Sequence, residues 1–69
     1  MKSNSKLRDA RLRRGWSQTR LTMLTGITQS DISALERGKR YAPPAWRRRL
    51  AAALKLSERE LFQDEVSGA

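Results

Sequence analysis

The 69-residue chain contains no cysteine and no histidine. Disulfides, thiolate metal sites and imidazole acid–base chemistry are therefore excluded together. Its four glycines are scattered singly, so there is no Gly-rich phosphate loop. No apolar run approaches the roughly 20 residues that span a bilayer, and no N-terminal apolar segment reads as a secretory signal, which implies a cytoplasmic protein with no membrane partner. Acidic residues are scarce, 7 against 15 Lys plus Arg. Those near the end, Glu58, Glu60, Asp64 and Glu65, are accounted for by helix capping and a solvated tail. No metal, cofactor or enzymatic activity is expected. A chain this short, without crosslinks, makes one domain over 1–69, and packing must supply its stability.

Positive charge is what the chain has in excess. The formal net charge is +8 and the pI is near 11.4. Residues 1–55 carry 14 basic and 3 acidic groups, whereas residues 56–69 carry 1 and 4. A basic body with an acidic tail attracts polyanions, chiefly nucleic acid, and directs attention away from the tail.

Apolar spacing and capping signals predict five helices and no strand. The first spans about 5–14, with Leu7, Ala10 and Arg11 at helical spacing, and Gly15 stops it. Ser17 caps a second helix that runs to Thr25, with Leu21 and Leu24 facing inward. Gly26 suits the left-handed residue that ends it. Thr28 opens a third helix over 28–37, and Ile32 and Leu35 form its buried stripe. Asp31, in the first turn, suits capping and the helix dipole, or alternatively reading a base. After the loop 39–44, Trp46, Leu50, Ala53 and Leu54 share one face of a fourth helix. Ser57-Glu58-Arg59-Glu60 is a capping box for a fifth that ends near Phe62, giving an ordered core of about 5–62 and a frayed tail over 63–69. Trp16 and Trp46 fit packing better than stacking on single-stranded bases, while Leu12 and Met23 can be exposed without a function.

Two short helices joined at Gly26 have the layout of a helix-turn-helix. The pairing of Leu7 with Arg11, the Gly15-Trp16-Ser17-Gln18 junction, Leu21, Gly26-Ile27 and the string Ile32-Ser33-Ala34-Leu35-Glu36-Arg37-Gly38-Lys39 occur in order at matching separations. In these the chain resembles the phage-repressor and Cro type of helix-turn-helix regulator over roughly Leu7 to Phe62. The resemblance implies an all-α, compact five-helix bundle of the lambda-repressor-like type. It also implies a sequence-specific double-stranded DNA-binding transcriptional regulator, acting as a repressor at an operator. Two departures stand out. Thr22 occupies a position where the family usually has Ala, so its hydroxyl either loosens the packing or bonds back to a carbonyl. Arg47 and Arg48 replace apolar residues, leaving Trp46 to supply early contact in helix four.

In the family's docking mode Thr28, Gln29, Ser30, Ser33 and Ala34 face the major groove. Gln29 is the strongest reader, since an amide matches adenine N6 and N7 at once. The serines are also consistent with plain helix surface. Gln18 is implied at a backbone phosphate. Lys39, Arg40 and Tyr41 follow the recognition helix and are placed to hold phosphates, with Arg20 and Arg13 as further candidates. Arg11 and Glu36 are implied as a structural ion pair. Such regulators commonly bind as twofold dimers, so a homodimer, formed in solution or only on DNA, is expected, with Arg59, Phe62 and Val66 as the region of contact. The alternative is an antitoxin-like or other protein-interaction module with the same fold and a protein partner.

Overall fold

The computed structural model describes the backbone of residues 5–66 and the side chains of residues 6–62. Among the described residues it contains five helices and no strand: α1 (Ser5–Arg13), α2 (Gln18–Thr25), α3 (Gln29–Glu36), α4 (Pro44–Leu54) and α5 (Glu58–Val66).

Local chemistry sets each boundary. Ser17 Oγ accepts from the Arg20 amide at 3.1 Å and starts α2, and Gly26 ends it at φ 77°, a conformation that would strain a side chain carrying Cβ. Thr28 Oγ1 accepts from the Asp31 amide at 3.2 Å and starts α3. Pro44 needs no amide partner at the first position of α4. The box at α5 closes reciprocally, with the Ser57 amide donating to Glu60 Oε2 at 2.7 Å and the Glu60 amide to Ser57 Oγ at 3.1 Å.

Five amphipathic helices bury one shared core. Leu7 and Ala10 of α1, Leu21 of α2, Ile32 and Leu35 of α3, Leu50, Ala51 and Leu54 of α4, and Leu61 and Phe62 of α5 meet in it, together with Ile27 and Ala42 from the connections. Trp16, Trp46 and Ala53 pack against its edge. Trp46 is thus rim rather than base platform, and the early turn of α4 is completed by a cation. Arg47 Nε donates to the Ala42 carbonyl at 2.9 Å, and its guanidinium lies 5.8 Å from the Phe62 ring centroid.

Three expectations from the sequence are corrected. Leu24 does not face inward and is 47% exposed. Thr25 takes the buried position one turn after Leu21, its Oγ1 donating to the Leu21 carbonyl at 2.8 Å and accepting from the Ile27 amide at 3.2 Å. Phe62 is 1% exposed, so it is a core residue and not a surface contact for a second copy. The helix breaks at Phe62 as expected, where the backbone departs from helical angles (φ −127°, ψ 26°), but helical backbone resumes and continues to Val66, so residues 63–66 are helical and not a frayed tail. The Val66 side chain and residues 67–69 lie outside the described residues, as do the contact and tail assignments made for them.

The hydroxyl of Thr22 settles the question raised by its position: Oγ1 is buried and has no hydrogen-bond partner. An unpaired buried hydroxyl costs about 1–3 kcal/mol, and Thr is a poorer helix former than Ala by some tenths of a kcal/mol. Part of that gain is offset by the lost methyl contact. Thr22→Ala is expected to stabilise the domain by about 1 kcal/mol, read as a rise in Tm of roughly 4–8 °C. An unchanged or lower Tm would show that the methyl packing outweighs the hydroxyl penalty.

Candidate nucleic-acid interface

The start of α3 is an exposed polar surface. Thr28, Gln29 and Ser30 are exposed, and Ser33 and Ala34, one turn on, are half-buried. The structure brings these five together on successive turns of one helix. The Thr28 hydroxyl donates to Asp31 Oδ2 at 3.0 Å while it accepts from the Asp31 amide. Its proton is therefore committed, and Asp31 serves the cap. Gln29 Oε1 accepts from Thr19 Oγ1 at 3.5 Å, a long contact across the turn from α2. A carbonyl oxygen has two lone pairs, so the amide retains both an acceptor site and its donors.

Behind this surface lies a buried ionic anchor. Arg11 Nε donates to Glu36 Oε2 at 2.7 Å and Nη2 to Oε1 at 3.0 Å, a bidentate pair, while Nη1 donates to the Trp16 carbonyl at 2.8 Å. The hydrogen bond to Glu36 holds the Arg11 guanidinium above its ordinary pKa, burial opposing it and the nearby carboxylate charge adding to it. Gln18 Nε2 donates to Glu36 Oε1 at 3.1 Å. The Gln18 side chain is thus tied to the end of α3, and one amide hydrogen remains for an outside acceptor. One carboxylate consequently joins α1, the beginning of α2 and the end of α3.

The exit from α3 is equally defined. Gly38 adopts φ 73°, the Gly38 amide donates to the Leu35 carbonyl at 3.1 Å and the Lys39 amide to the Ala34 carbonyl at 2.9 Å. This Schellman-type closure delivers Lys39, Arg40 and Tyr41, all exposed, directly after the recognition surface. Arg40 is held from two sides, with its guanidinium 4.7 Å from the Trp46 ring centroid and Nε 3.9 Å from Asp31 Oδ1. Arg13 is exposed at the end of α1. Arg20 stands with Arg14, Trp16 and Leu24 around a separate groove and is not part of the α3 cluster.

Residues 5–62 match the family model described as a helix-turn-helix domain. The chain belongs to the helix-turn-helix family of transcriptional regulators. Among solved structures it is similar to the restriction-modification controller protein C.AhdI from Aeromonas hydrophila, with 37% identity over 86% of this chain and 89% of that one and a TM-score of 0.80. A search of curated proteins finds no match. Helix-turn-helix regulators of this family bind DNA, and α2 and α3 are the two helices of the motif here. Among the described residues no helix is long and apolar enough to cross a membrane.

Several supporting contacts were not foreseen from the sequence. Thr19 lies ten residues from Gln29, and Arg40 six from Trp46 across a loop, separations that carry no helical periodicity. The Gln18–Glu36 bond spans 18 residues, and only the geometry at the junction of three helices reveals it.

Proposed function

We propose that this chain is a sequence-specific regulator that lays α3 in the major groove of duplex DNA and represses transcription by occupying an operator. Thr28, Gln29, Ser30, Ser33 and Ala34 face the bases. Gln18 and the open amides at the start of α2 hold one phosphate strand, while Lys39, Arg40 and Tyr41 hold the other. Arg13 serves as an outer contact, whereas Arg20 lines the separate groove. The observation that carries this reading is the exposed Gln29 amide, held by Thr19 yet still able to accept from adenine N6 and donate to N7. Two copies bind adjacent half-sites and associate on the DNA, with Arg59, exposed on α5, and Val66 at the contact. The similar protein from Aeromonas hydrophila is a restriction-modification controller, and we extend that role to this chain as its regulatory context.

Selection from a random duplex pool at about 150 mM salt, which suppresses diffuse electrostatic binding, supplies the operator. An inverted repeat is expected, and a folded protein that enriches no sequence overturns the proposal. On the selected site Gln29→Ala is expected to cost about 1–3 kcal/mol in binding while affinity for unrelated duplex stays the same. Lys39→Ala instead weakens both and lowers the salt slope by about 1. Equal losses for Gln29→Ala on every duplex would remove its reading role.

A further inference from the structure

Away from the α3 surface, an open groove of about 570 Å³ runs between the end of α1, α2 and the second half of α4. It is lined by Arg14, Arg20, Arg49 and Lys55 together with the apolar Trp16, Leu24, Ala52 and Ala53. Among the described residues no carboxylate pairs with any of these four cations. Arg14 is already fixed in place: Nη2 donates to the Leu54 carbonyl at 3.0 Å, and its guanidinium lies 5.2 Å from the Trp16 ring centroid. Arg20 and Leu24 are four residues apart and share one face of α2. Gln18, two residues before Arg20, is about 200° away around the helix. The groove therefore opens on the side of α2 away from the Gln18 side chain.

We infer that this groove docks an acidic segment of a partner protein, one that places a bulky apolar side chain between carboxylates. Four cations that no carboxylate among the described residues pairs with surround one concavity, where they repel one another and favour an anionic occupant. The apolar lining narrows the chemistry further. The backbone of a duplex presents phosphates and sugars and no bulky apolar side chain to set on Trp16 and Leu24, and Leu24 stays 47% exposed until something covers it. An apolar side chain seated there expels water from the surrounding ion pairs and strengthens them. The inference goes beyond the DNA reading, since it uses a different face and allows duplex and partner to be held together.

The test titrates the ¹⁵N-labelled full chain with a synthetic peptide, acetyl-Glu-Glu-Leu-Phe-Glu-Glu-amide, alongside one version with Gln for Glu and another with Ser for Leu and Phe. The expected result is shifts at the Trp16 indole and the Leu24 amide, with each control peptide bound about tenfold more weakly or worse, a difference of about 1.4 kcal/mol. Leu24→Ala combined with Arg49→Ala, both at exposed positions, is expected to weaken the acidic peptide similarly, with a well-dispersed spectrum showing that the variant is folded. Shifts at Gln29, Lys39 and Arg40 instead would overturn the inference by making the peptide a phosphate mimic. Equal binding of the Ser peptide, or no shift at millimolar peptide, would overturn it as well. Self-association of the free chain that this double variant abolishes would assign the groove to a second copy and overturn it too. Binding of the peptide by a chain that selects no duplex leaves this inference standing while the DNA reading falls.

Discussion

Arg11→Met is expected to lower the unfolding free energy by about 3 kcal/mol, at the lower end of the range for breaking a buried ion pair. The loss arises because Glu36, 5% exposed, keeps only the single bond from Gln18, and the Trp16 carbonyl loses its donor as well. Urea denaturation measures it. A loss under about 0.5 kcal/mol would place Arg11 among ordinary surface residues. Glu36→Leu in the Arg11→Met background should recover much of the loss, because removing both charges removes the stranded one. The raised Arg11 pKa has a defined sign: the stabilisation is complete below the ordinary guanidinium value and is lost only as strongly alkaline pH passes the raised one. The Arg11 guanidinium therefore stays charged throughout the neutral range. Weakened DNA binding by an Arg11 variant reports the position of α3 and not a lost phosphate contact.

Phe62→Ala is expected to cost about 3–5 kcal/mol, the usual loss for emptying a buried aromatic site. For a domain of this size that approaches the whole folding free energy, at roughly 0.05–0.15 kcal/mol per residue. Phe62→Leu keeps the test readable and should cost about 1 kcal/mol, with most of the volume retained. Both losses should be independent of protein concentration. A Phe62 acting mainly between two copies would behave otherwise: its variants would leave the dilute chain's stability nearly unchanged and weaken only association. The ring also supports the guanidinium of Arg47, so its removal loosens the start of α4 and the loop that carries Lys39, Arg40 and Tyr41.

These two residues illustrate what could be read along the chain. The Arg11–Glu36 pair was legible because a family resemblance supplied a partner 25 residues away, and the structure joins them as a bidentate pair. Phe62 differs because the resemblance places a contact between copies at the end of the fifth helix, whereas its ring is buried in the core of this chain. Leu24 failed for another reason. Helical spacing allows it or Thr25 to follow Leu21 inward, and Thr25 satisfies its own hydroxyl locally, so burial leaves no polar atom unpaired.

Local signals in the sequence determined the five helices, their caps, the turn at Gly26 and the basic character of the body, because each depends on residues within a few positions of one another. The resemblance, carried by short strings in order, pointed to the face of α3 that begins at Thr28 and Gln29. Tertiary structure alone decided that Gln18 is bound to Glu36 and that Arg40 rests on Trp46 above Asp31. It also decided that Arg14, Arg20, Arg49 and Lys55 surround one apolar groove. Those arrangements depend on how the helices cross, and crossing geometry is set by the packing of the whole core, which no single segment encodes.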